Sequence, residues 1–170
     1  MKKALLSIFI GFSSITLLVA QTDTTTLTKI GDKAPLFNCK TIDNKTLDIA
    51  KLEGKIILIN FFATWCGPCN QELPVLQKNI WDKYKSNPSF ELIILGREHT
   101  EKEVRDFVKS KKFTMPFAPD PKRGIFKLYA TQSIPRNIIV GKDGKIIFQS
   151  IGYTDTEFKK MEAFLAEKLK

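Results

Sequence analysis

The sequence predicts one α/β domain whose sheet is part parallel and part antiparallel. Three observations carry that prediction. Residues 55–62 (KIILINFF) and 90–95 (FELIIL) are near-continuous runs of β-branched, aliphatic and aromatic side chains, the composition of strands buried on both faces. Each run is followed by apolar residues at helical spacing, and strands that alternate with helices suggest parallel pairing. Near the end, Asp143-Gly144 separates two further apolar runs, residues 137–140 and 145–148. That is a hairpin signal, which adds antiparallel strands.

The elements follow in chain order. Lys2 and Lys3 precede an uncharged apolar run over residues 4–20, and Gln21, Thr22 and Asp23 then turn polar. Residues 1–20 therefore read as a secretory signal peptide ending at the small Ala20. The run also approaches the length of a membrane-spanning helix, so an uncleaved N-terminal anchor is the alternative. With the lysines inside, both readings place the remainder outside the cytoplasm. Residues 21–30 are Thr-rich without an apolar period and read as a linker, which leaves 31–170 as the domain. Residues 36–40 alternate apolar and polar like a half-buried strand, Asp43-Asn44 marks a turn, and residues 46–49 return as a second short strand.

After the first buried run, Leu73, Leu76, Ile80 and Tyr84 form one helical stripe, and Pro74 inside it predicts a kink. Thr100 and Glu103 form a capping box ahead of a short amphipathic helix with Val104, Phe107 and Val108. Residues 122–129 suggest a weaker helix. Thr154 and Glu157 make a second capping box, and Phe158, Met161, Leu165 and Leu169 stripe a closing helix.

Hydrophobic residues make up 43% and charged residues 26%, which fits a globular chain and excludes extensive disorder. The formal charge is +9, of which Lys2 and Lys3 contribute two. The other lysines are spread along the chain, so the surface reads as solvated and basic. It carries no nucleic-acid tract and steers acidic protein partners weakly. Three cysteines are too few for a disulfide scaffold. Two of them are close together, which suits a catalytic pair. Cys39 shares the presumed inward face of its strand with Phe37 and is expected to be buried and inert.

Trp65-Cys66-Gly67-Pro68-Cys69 stands between the first buried strand and the kinked helix. In the first turn of a helix two cysteines at this spacing face one side, and their sulfurs can bond. The unpaired N–H groups and dipole there favour a thiolate at Cys66, and the thiolate is the attacking form. Cys66 is thus the candidate exposed nucleophile and Cys69 the shielded resolving thiol. A permanent bridge would close a very small loop and stabilise little. A zinc site needs four ligands, and only Cys39 and His99 remain to complete one.

Residues 55–69 (KIILINFFATWCGPC) resemble the thioredoxin-fold signature, and most closely the TlpA/ResA-like branch of extracytoplasmic thiol–disulfide oxidoreductases. The resemblance spans residues 31–170 and includes Pro74, the early hairpin and Gly141-Lys142-Asp143-Gly144-Lys145. It implies a thioredoxin-like fold, a central mixed sheet with helices on both faces and an added N-terminal β-hairpin. It further implies a reductant of protein disulfides with no bound cofactor or metal, re-reduced by a membrane electron donor. Ile134-Pro135 matches the family's cis-proline loop, so Pro135 should pack on the cysteine pair and Ile134 should offer its backbone to a bound peptide. Trp65, Gly67 and Pro68 complete the partner surface. Arg136-Asn137 replaces a frequent Thr pair and is expected to alter partner choice. Asn60 occupies the place of a buried Asp in thioredoxins proper and cannot titrate. The resemblance offers Glu98 as the substitute proton acceptor, with a raised pKa if partly buried. His99 reads as an exposed loop residue.

Two other functions share this fold. A thiol peroxidase would carry Thr or Ser three residues before the attacking cysteine, where this chain has Ala63. A binding or chaperone-like adaptor would use the peptide groove without turnover, and the intact cysteine motif argues against it.

Overall fold

β3 (Ile56–Phe62) is the axis of the fold, buried along its whole length. The structure is a computed structural model that describes residues 23–170. The targeting segment expected at residues 1–20 lies outside the described residues. A strand sealed on both faces sits centrally, and β3 pairs in parallel with β4 (Phe90–Arg97) and antiparallel with β6 (Arg136–Val140). β5 (Phe117–Asp120) and β7 (Ile146–Ile151) complete the order β5-β4-β3-β6-β7. The parallel and antiparallel halves of the predicted mixed sheet meet at β3. β1 (Asn38–Lys40) and β2 (Thr46–Asp48) form the predicted separate hairpin. Between them, the Ile42 N–H donates to the Phe117 carbonyl at 2.8 Å and ties the hairpin to the β5 edge.

Alternate β3 side chains enter two cores. Leu58 and Phe62 join Leu73 and Leu76 of α1 (Gly67–Leu76) in one buried cluster. α1 widens after Pro74 into a π-helical stretch, Gln77–Trp81, and ends as the single turn α2 (Asp82–Tyr84). Pro74, where a kink is expected, lies inside α1 three residues before that stretch. Val104 of α3 (Glu101–Lys111) and Phe158, Met161 and Leu165 of α5 (Asp155–Lys168) complete the same cluster. Ile57, Ile59 and Phe61 point the other way, toward Leu47, Ile49, Phe126 and Tyr129. The long helices therefore share one face. The other is covered by the four-residue α4 (Phe126–Tyr129), a 3₁₀ turn at Ile49–Leu52 and the hairpin.

Four local expectations are corrected. β5 was not foreseen: Pro119 lies inside it, a residue tolerated in a sheet only at an edge, and β5 is the edge strand. The helix expected over 122–129 shortens to its last turn. Thr100 and Glu103 form both halves of their capping box, but Glu157 does not complete the second. Thr154 accepts from the Glu157 N–H at 3.2 Å, while the Glu157 carboxylate pairs with Lys160 at 2.7 Å. Finally, the linker expected over 21–30 is docked from Asp23 onward. The Leu27 N–H donates to the Tyr129 carbonyl and the Thr131 N–H to the Thr25 carbonyl. Arg136 is fully buried and donates to the hydroxyls of Thr25 and Thr26 and to the Gln132 carbonyl. A buried guanidinium requires acceptors, and the polar threonines supply them.

Candidate active site

The chain leaves the end of β3 through residues 63–65 and enters α1 with Cys66 as its N-cap. The Cys69 N–H donates to Cys66 Sγ at 3.2 Å, so one of the orphan donors of the first turn is aimed at this sulfur. Pro68 falls in that turn, where its missing N–H costs nothing. The two cysteines form a disulfide with Cα atoms 5.3 Å apart. Cys66 is 5% exposed and Cys69 fully buried. The sulfur expected to be exposed is thus nearly buried, and its partner is fully so.

Cys66 nevertheless lines a shallow groove. Trp65, Gly67 and Pro68 form one wall, and Gln132, Ser133 and Ile134 the other. The Ile134–Pro135 peptide is cis, and the Ile134 carbonyl oxygen lies 3.8 Å from Cys66 Sγ. Trp65 is 64% exposed, with the Arg97 guanidinium over its ring at 5.7 Å. Trp65, Cys66, Gly67, Pro68 and Ile134 therefore come together.

Glu98 does not take the environment expected of it. Its side chain is exposed and pairs with Arg97 at 3.0 Å and Arg123 at 3.6 Å. The hydrogen bond from Arg97, with the charges of both arginines, holds its carboxyl below the ordinary range, the opposite of the expected rise. Glu72 is a buried carboxylate one turn after Cys69, on the helix face toward the sheet. Asn60 donates to it at 2.9 Å and Asn137 at 2.5 Å, and Asn60 also donates to Asn137 at 2.8 Å. The two asparagines face each other across β3 and β6. Burial pushes the Glu72 carboxyl up to about 7, against the two amide donors that favour its charge. Sequence reasoning missed Glu72, although it falls on the helix stripe of Cys69, Leu73 and Leu76. Asn137 and Arg136 are likewise interior.

His99 is a second correction. It is buried, and its Nε2 accepts from the Thr64 N–H at 2.8 Å. Burial pulls its pKa down, against the nearby carboxylates of Glu103 and Glu98. Cys39 is buried and free, as expected. Burial, and secondarily the Asp120 carboxylate, pushes its thiol up to about 11. Among the described residues no cluster of three or more His, Cys, Asp or Glu is placed to hold a metal ion.

Comparison with known proteins agrees with this architecture. The profile of the Redoxin family matches residues 29–165. The thiol–disulfide oxidoreductase ResA of Bacillus cereus is 33% identical over 137 residues, covering 81% of this chain and 77% of the relative. A Bacteroides thetaiotaomicron protein solved in solution superposes with TM-score 0.82 at 35% identity, over 85% of this chain and 92% of that one. StoA from Bacillus subtilis superposes with TM-score 0.65 at 28% identity, over 76% and 97% respectively. On the family match and the ResA relative together, this chain belongs to the Redoxin family and is a thiol–disulfide oxidoreductase.

Proposed function

We propose that the chain reduces disulfides of protein substrates outside the cytoplasm, with Cys66 as attacking thiol and Cys69 as resolving thiol. The observation that carries the assignment is the asymmetry of the pair: Cys66 lines the groove and receives the Cys69 N–H, whereas Cys69 is sealed. In the reduced enzyme the Cys66 thiolate attacks one substrate sulfur and expels the other as a thiolate, leaving a mixed disulfide. Cys69 then loses its proton and attacks Cys66 Sγ, and the second substrate thiolate departs. Two electrons pass to the substrate, and the Cys66–Cys69 disulfide remains with no bound cofactor.

Glu72 is the better proton acceptor for Cys69, because its carboxyl titrates near neutrality inside the protein while Glu98 is ion-paired at the surface. Trp65, Gly67 and Pro68 face the incoming peptide, and Ile134 offers its backbone to a strand-like substrate. Residues 1–20 serve as signal peptide or anchor, and a membrane electron donor restores the dithiol.

The reduction potential of the Cys66–Cys69 pair tests the direction. A value near about −270 mV is expected for a reductant. A value near about −120 mV would make the chain a disulfide donor and overturn that direction.

A further inference from the structure

Thr64 stands two residues before Cys66, and its peptide is gripped at both ends. Its N–H donates to His99 Nε2 at 2.8 Å, and its carbonyl accepts from Asn70 Nδ2 at 2.9 Å. The same Asn70 amide donates to the Cys66 carbonyl at 2.9 Å. Asn70 belongs to α1, whereas His99 lies between β4 and α3, so two separate parts of the fold clamp the turn that delivers Cys66. His99 is itself fixed. It is 5% exposed, its ring lies 6.2 Å from that of Phe62, and its backbone N–H donates to the Gly96 carbonyl at 3.2 Å. Accepting from a backbone N–H requires an unprotonated Nε2, so the ring is neutral with its proton on Nδ1. The charged groups around it are Glu103, 3.9 Å from Nδ1, together with Glu98 and Arg97.

From this geometry we propose that His99 is a positioning residue for disulfide exchange, holding the Thr64 peptide and through it the N-cap placement of Cys66 Sγ against the Cys69 N–H. The proposal rests on Cys66 as the attacking thiol. Without the His99 acceptor the Thr64 N–H loses its partner and the turn shifts to find another. The alignment that favours the Cys66 thiolate is then lost.

The test is the pH profile of Cys66 alkylation by iodoacetamide in the reduced full-length chain, with insulin reduction as the activity control. His99→Leu is expected to slow alkylation below its midpoint by about fivefold, the scale of one lost hydrogen bond, and to move the midpoint upward. His99→Gln places an amide oxygen where Nε2 was and restores the profile. His99→Asn, one methylene shorter, does not. Thermal unfolding identifies the variants that fold, and if the Leu variant does not, the Gln–Asn pair decides. Superimposable profiles in all folded variants overturn the proposal, and so does equal impairment in the Gln variant. Alkylation of Cys69 in preference to Cys66 in the reduced wild type instead overturns the reading of Cys66 as attacking thiol, and this proposal falls with it.

Discussion

Glu72 keeps its proton into the neutral range, and this has a signed consequence for stability. Its carboxyl titrates near 7 when folded against an ordinary value of 4.5. Below the lower value both states are protonated and the site is neutral to stability. Between the two values the folded state holds a proton that the unfolded state has released, so stability falls as pH rises. The loss is complete above the folded value and reaches ~3 kcal/mol. Glu72→Gln removes this dependence. In urea unfolding of the oxidised protein, the variant should match wild type near pH 4 and exceed it above pH 7. Parallel curves across that range would refute the buried titration. The same variant should slow disulfide exchange by about tenfold or more if Glu72 takes the Cys69 proton, and Glu98→Gln should leave the pH–rate profile unchanged. The cysteine pair was legible from its spacing, whereas the Ile134-Pro135 loop was legible only through the resemblance to the family. Glu72 was not, because burial of a carboxylate depends on two asparagines, one of them 65 residues away in sequence. His99 escaped for a similar reason: its partner is a backbone N–H of a distant loop, which leaves no trace in composition.

At the scale of elements, close approach of β4 and α3 places His99 and the long buried strand together. Gly96 permits it: a Cβ there would meet Val104 Cγ2 at 2.7 Å. Gly96→Ala should therefore cost ~1–3 kcal/mol, the range for overpacking a filled core, visible as a lower urea midpoint with an unchanged slope. The elements that sequence reasoning found, β3, β4, the late hairpin and the striped helices, share a strong periodic or turn signal. β5 lacked one, because Pro116 and Pro119 break the pattern of a strand that only its edge position tolerates. The second capping box failed through competition, since Lys160 takes the Glu157 carboxylate that the box required.

For the whole molecule, the domain begins earlier than its composition suggests. The segment after Asp23 supplies acceptors to Arg136 and pairs with Tyr129 and Thr131 at the C-terminal end of α4. A chain starting at Gly31 should consequently melt about 5–15 °C below one starting at Gln21, given a loss of a few kcal/mol from stripping partners off a buried charge. Equal melting temperatures would show that the docked segment adds nothing. Cys39 has a different molecular consequence. Buried in β1 with its thiol near 11, it is ionised to only about one part in a thousand at pH 8. The oxidised protein therefore presents almost no thiolate while folded and one ordinary sulfhydryl when unfolded. A thiol-reactive dye added to it reads the unfolded fraction directly, one label per opened molecule, and leaves the redox pair untouched.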